Sequence, residues 1–303
     1  MGAGHGHGHG SASGGGNHRW RLAVSFGLVA SFFLVELVTG IVSGSLALIS
    51  DAGHMAADVV ALGAALLATR IAARPDTTGR RSYGSYRAEI FASGLTVLLM
   101  LGVAVYVVIE AVGRIGEDFE VETGPVLVVG FIGLLINVVS MLLLRGGAKE
   151  SLNVKGAYFE VIADAAGSVG VMAAAALVIA TGDTYWDTLI AVAIGVFVAV
   201  RAVVLGRQVL AVLGQHVPEG LDIDLVASQL GRVAGVADVH DLHAWTLTSG
   251  MNVATAHLVL EQGANSQAVL QESQRLLRQD HGVEHATLQV EDQPSQSCHE
   301  VTW

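Results

Sequence analysis

One cysteine, Cys298, stands in 303 residues, so no intramolecular disulfide framework exists, and a lone thiol suits a reducing compartment for the tail that carries it. Charge is scarce as well: 14% of the residues are Asp, Glu, Lys or Arg, against 52% that are hydrophobic. A soluble domain carries roughly a quarter charged residues, and with a mean hydropathy of +0.57 the chain reads as an integral membrane protein. Cations are the scarcer sign. From Gly214 onward twelve Asp and Glu face three Arg, which gives that acidic tail no footing for nucleic acid. A charged leader with a short apolar core and cleavage site is not seen before the first long apolar segment, so no cleaved signal peptide is expected. Neither His-Glu-x-x-His nor Gly-x-Ser-x-Gly occurs, which removes the signatures of a helix-borne zinc protease and of a nucleophile elbow. No repeat of solenoid length is visible.

What the chain does have is six apolar segments of spanning length, near residues 21–43, 45–70, 87–113, 123–145, 155–181 and 185–213, each long enough against the roughly 20 residues a membrane helix needs. Only Gly44-Ser45 separates the first two, which predicts a tight helical hairpin. Arg70, Arg74, Arg80, Arg81 and Arg87 lie between the second and third segments, and Arg145, Lys149 and Lys155 flank the connection from fourth to fifth. The third-to-fourth loop instead reads Glu117, Asp118, Glu120 and Glu122 with Arg114, and the fifth-to-sixth carries Asp183 and Asp187. Lys and Arg in short loops stay on the cytoplasmic side, so both termini, and with them the tail, are expected inside.

Four regions are therefore expected: 1–18, disordered and rich in His, Gly and Ser, where His5, His7 and His9 either collect soft metal ions or belong to a linker; 19–213, a six-helix all-α membrane bundle; 214–292, a small cytoplasmic α/β domain; and 293–303, a terminal tail. The soluble part reads helix 222–233, strand 236–247, strand 252–260, helix 267–280 and strand 286–291, with Ser249-Gly250 as the hairpin turn and Asn265-Ser266 as a helix cap.

The chemistry concentrates in the second segment. At about 100° per residue, Asp51, His54 and Asp58 fall in one narrow arc of a helix, and ionisable groups at membrane depth face an interior, an ion or a partner. Glu160 and Asp164 in the fifth segment share a face by the same i, i+4 spacing, and two such carboxylates would repel unless a cation lay between them. With the two helices antiparallel, His54 comes level with Asp164 and Asp58 with Glu160, while Gly53, Ala57, Gly156, Ala157, Gly167 and Ser168 would let the backbones approach. Imidazole with carboxylates suits zinc or another first-row divalent cation. His54, whose ordinary pKa lies nearest neutrality, is the natural proton carrier. Asp51 is either a carboxylate on the release path or a helix-start residue bonded to its neighbours, and Glu36 either lines the cavity or bonds another helix.

Residues 44–54 (Gly-Ser-Leu-Ala-Leu-Ile-Ser-Asp-Ala-Gly-His), Tyr83-Gly84-Ser85-Tyr86-Arg87-Ala88-Glu89, Gly156-Ala157-Tyr158, Asp164-Ala165-Ala166-Gly167-Ser168 and His240-Asp241-Leu242-His243-Ala244-Trp245 resemble the cation diffusion facilitator family over nearly the whole chain after residue 18. The resemblance implies a homodimeric, proton-coupled exporter of divalent metal, not an enzyme, in a bacterial-type cell membrane. It also implies a metallochaperone-like αββαβ domain and a transport site at His54, Asp58, Glu160 and Asp164. Zinc is the first expectation, as substrate and as a regulatory ligand. Zinc members usually have histidine where Glu160 stands, and the harder site made by three carboxylates would also admit manganese, iron, cobalt or cadmium. Asp76 is the remnant of an interfacial site. The resemblance carries a cytoplasmic metal site to His240, His257 and Glu291, with Cys298 and His299 as tail ligands; His243, His281 and His285 read as solvated. A membrane metal sensor that moves no ion is the competing reading from another class, and it would have no use for the intramembrane cluster.

Overall fold

The computed structural model describes residues 15–71, 83–84, 86–117, 119–144, 152–248 and 250–293. Six long helices come first: α1 (Gly15–Ser43), α2 (Leu46–Ile71), α3 (Ala88–Gly113), α4 (Thr123–Leu144), α5 (Leu152–Thr181) and α6 (Tyr185–Leu213). Among the described residues α1, α3, α4, α5 and α6 hold stretches long and apolar enough to cross a membrane. The sixth, α2, has 26 residues but carries the three ionisable groups of the second segment. The chain divides into two compact units, one of Met1–Arg74 with Ala92–Gly206 and one of Pro75–Phe91 with Arg207–Trp303.

In the first unit α1 packs along α2 and α4 along α5, and α1 meets α4 as α2 meets α5. The expected hairpin is present: α1 ends at Ser43, α2 begins at Leu46, and Gly44 makes the reversal at φ +70°, a conformation that costs a residue with a Cβ 1–2 kcal/mol, roughly. Leu46, Ala47 and Leu48 then sink into a core with Val107, Val126, Val171, Ala174 and Ala191. The outward faces stay apolar, with Leu98, Ile109 and Leu142 more than 60% exposed, as a surface that meets lipid tails requires.

The start of α2 is capped from outside the helix. Asp187, in the first turn of α6 and 1% exposed, accepts hydrogen bonds from Ser45 Oγ (2.6 Å) and from the backbone N–H of Leu46 (2.6 Å). Ser45 Oγ also accepts from the Leu48 N–H at 3.1 Å. Arg114 Nη1 lies 3.5 Å from Asp187 Oδ2, and Arg114 Nη2 donates to the Gly44 carbonyl at 3.0 Å. The first N–H groups of a helix have no partner within it, and an unsatisfied one away from water is costly. Asp187, expected in a loop, instead pins α2 to α3 and α6.

The second unit carries α7 (Ile223–Leu230), β1 (Val236–Thr248), β2 (Met251–Leu260), α8 (Ser266–His281) and β3 (Val283–Glu291). The strands form one sheet in the order β1-β2-β3, with β1 antiparallel to β2 and β2 parallel to β3. Asn265 caps α8 as expected, its side chain accepting from the Ala268 N–H, and Gly282 closes the helix in the left-handed region at φ +64°. Val226, Leu230, Leu258, Val269 and Leu277 fill the core between helices and sheet. A six-helix membrane domain followed by a small αββαβ domain is the fold class read from the sequence.

Candidate metal sites

The helical spacing does on α2 what the sequence requires of it. Asp51 and His54 are buried, at 5% and 4% exposure, and one turn further on Asp58 shares their face. Across the seam, His54 Nε2 lies 3.0 Å from Asp164 Oδ1 on α5. His54, Asp58 and Asp164 each present a ligand atom within 4.8 Å of the others. Glu160 stands one turn before Asp164 on α5, but its side chain lies outside the described residues.

Two of the small residues expected at this seam sort differently. A Cβ on Gly167 would collide with the Asp51 carboxylate, so that glycine is what lets Asp51 lie against α5. Gly53 faces elsewhere and meets the Val103 side chain of α3, since a residue next to His54 in sequence is turned by about 100° from it. Gly156 and Ala157 lie outside the residues with described side chains.

A cavity of about 520 Å³ opens beside the cluster, walled by Glu36, Asp51, Asp58 and Asp164 together with Asn137, Ser140 and Ser168. Asp51 therefore sits on the cavity wall with its carboxylate against α5. Glu36 lines the same cavity from α1; it is 1% exposed and its Oε2 has no hydrogen-bond partner among the described residues. Four carboxyl groups line this cavity, and Asp164 joins them to the His54 imidazole beside it; such a set can hold a cation or pass protons.

Sequence reasoning missed one member. Arg201 on α6 brings Nη1 to 2.9 Å from His54 Nε2, and its guanidinium lies 5.8 Å from the centroid of the Phe197 ring. The rule that singled out Asp51 and His54, that an ionisable group at membrane depth has work to do, applies to Arg201 equally.

The second cluster lies on the sheet of the second unit. His240 on β1 is the register partner of His257 on β2, their rings 5.2 Å apart. Glu291, at the end of β3 and 7% exposed, reaches both: its Oε1 is 2.8 Å from His257 Nδ1 and its Oε2 is 3.8 Å from His240 Nε2. Gln289 Nε2 donates to Glu291 Oε1 at 2.7 Å and orients it. An irregularity of β1 between His240 and His243 puts Asp241 in the left-handed region at φ +52°, where its Oδ2 comes within 3.8 Å of His257 Nε2. Asp241 thus borders the cluster, which the sequence reading did not anticipate. His243 pairs with Asp241 at 2.8 Å, His281 with Gln229 at 2.6 Å, and His285 stands edge-on to Tyr83; none of the three joins the cluster. Cys298, His299, Asp76 and the amino-terminal histidines lie outside the described residues.

The Cation efflux transmembrane domain family matches residues 22–213, and the family described as Cation efflux protein, cytoplasmic domain, matches residues 218–293. The chain belongs to the cation efflux family. A relative named Metal cation efflux system protein CzcD, from Cupriavidus metallidurans, is 42% identical over 299 residues, 98% of this chain and 93% of that one. The Zinc transporter ZitB of Escherichia coli is 35% identical over 285 residues, 93% and 90% of the two chains. A Bacillus subtilis protein named Cadmium, cobalt and zinc/H(+)-K(+) antiporter is 32% identical over 278 residues, 89% and 88%. The family is one of membrane transporters of metal cations, and its two parts coincide with the bundle of long helices and the small sheet domain that carry the two clusters.

Proposed function

We propose that this protein exports divalent metal from the cytoplasm in exchange for protons, by alternating exposure of one site to the two sides of the membrane, with zinc as the first substrate. The observation that carries this reading is the pairing of His54 with Asp164 across two long helices, with Asp58 within ligand distance of both. Glu160 completes the set as a fourth ligand in the arrangement zinc favours. Three carboxylates with one imidazole extend the substrate range toward the harder ions manganese and iron, with cobalt and cadmium as further divalent candidates. The names of the relatives support zinc, cadmium and cobalt within that range.

Exchange follows from ligand chemistry. Imidazole and carboxylate bind metal only without their protons, so loading releases protons and protonation ejects metal. His54 is the coupling carrier and the carboxylates neutralise the ion. Asp51 and Glu36 give the ion or the protons a polar path through the cavity. The distribution of Lys and Arg puts both termini in the cytoplasm; residues 19–213 form the membrane domain and 214–292 the cytoplasmic one, through which two copies pair. His240, His257 and Glu291 bind metal there as a sensor of cytoplasmic load.

Reconstituted in proteoliposomes with an imposed proton gradient, the protein should drive zinc uptake that falls at least about tenfold when an ionophore dissipates the gradient. Uptake indifferent to the gradient and set by the metal gradient alone would mark a channel instead.

A further inference from the structure

We propose that Arg201 is a tethered counter-cation of the transport site, competing with the metal ion for His54 and thereby keeping metal binding weak enough for release. The inference rests on reading His54, Asp58 and Asp164 as that site, and it deepens the reading by naming what limits the affinity.

Position and chemistry both lead there. Phe197 and Arg201 are spaced i, i+4 on α6 and so share one face. Both address the same imidazole: the Phe197 ring stands edge-on to His54 at 6.4 Å between centroids, and Arg201 Nη1 lies 2.9 Å from His54 Nε2. Arg offers donors and no acceptor. To take a hydrogen bond from it, His54 must present the lone pair of Nε2, and that nitrogen cannot at the same time donate an N–H to Asp164. A metal ion bound at Nε2 needs the same lone pair. Metal and Arg201 are thus alternatives for one electron pair.

The charges point the same way. Glu36, Asp51, Asp58 and Asp164 surround one cavity, and an acid cluster this dense would hold a divalent ion strongly in a medium of low dielectric constant. A guanidinium that never loses its proton, held 2.9 Å from the same imidazole, repels a divalent ion bound there. A transporter gains from this, because an ion held too tightly does not leave.

The test uses the full-length protein, with zinc as the probe. Zinc binding is measured by calorimetry, with Asp164→Asn as the reference that lacks the membrane site, so that binding on the sheet domain is subtracted. Initial uptake rates are measured in proteoliposomes. Arg201→Met should tighten Asp164-dependent binding about tenfold and lower kcat several-fold, while Arg201→Lys, which keeps the charge, should stay within about threefold of the parent on both. Arg201→Gln serves if the Met variant is not recovered as a monodisperse species. Binding that is unchanged or weaker in the neutral variant overturns the proposal and makes Arg201 a brace for His54; tighter binding with unchanged kcat overturns its role in release. Binding and uptake that persist in Asp164→Asn would instead defeat the reading of the transport site itself.

Discussion

Asp164→Ala should lower zinc uptake at least about a hundredfold without unfolding the protein. Losing a group that merely orients a metal ligand costs on the order of ten- to a hundredfold, and Asp164 is assigned as a ligand itself, 3.0 Å from His54 Nε2. The substitution removes one carboxylate from a cluster whose members lie within 4.8 Å of one another, so the site loses charge as well as geometry. The fold should survive, because Asp164 is 24% exposed at the wall of a cavity, and alanine is the residue best suited to a helix. Size-exclusion behaviour like that of the parent, with uptake abolished, is the expected pair of results. Uptake within threefold of the parent would remove Asp164 from the site.

The second large effect concerns stability. Asp187→Ala deletes the acceptor that serves Ser45 Oγ and the Leu46 N–H and faces Arg114, which is 12% exposed. Removing one member of a buried hydrogen-bonded charge pair costs about 3–5 kcal/mol, and for a chain of this size that lowers the melting temperature by roughly 10 °C. Arg114 would keep Glu110, at 3.4 Å, and the Gly44 carbonyl, so the loss falls on the start of α2. Asp187→Asn, which retains one acceptor oxygen, should fall between the two. A thermal unfolding series in detergent reads this directly; equal midpoints for parent and Asp187→Ala would show that α2 is held by its apolar core alone.

These two residues mark where the sequence spoke and where it did not. Asp164 was legible because its partners repeat a spacing: His54 and Asp58 on one helix and Glu160 and Asp164 on another each define a face, and antiparallel order then sets the level. Most carboxyl-terminal helix ends were legible for a similar reason, since an apolar run closed by charges or glycine has few readings. Yet α1 begins at Gly15, ahead of the apolar run expected from 21, and α5 at Leu152 instead of 155, because a helix can extend into polar residues beyond its apolar run. Local composition predicts the third strand over 286–291, yet it begins at Val283, because its first residue pairs in parallel with Asn252, a partner that composition does not reveal. Likewise the pattern predicts α7 as far as residue 233, but the helix stops at Leu230, where Gly231 turns its N–H back to the Ala227 carbonyl.

Asp187 and Arg201 were harder to read. Asp187 reaches Ser45 across 142 positions of the chain, and Arg201 reaches His54 across 147; no spacing within one segment encodes either pairing. Asp51 shows the same limit. Its neighbours in sequence allowed a local bond, but Gly167 on α5 leaves room for its carboxylate and so puts it on the cavity wall.

The most direct measurement is anomalous diffraction from crystals of the full-length protein loaded with zinc. An anomalous peak is expected between α2 and α5, about 2.0–2.2 Å from His54 Nε2 and from carboxylate oxygens of Asp58 and Asp164, and a second peak among His240, His257 and Glu291. Peaks confined to the sheet domain, with none beside His54, would contradict that expectation.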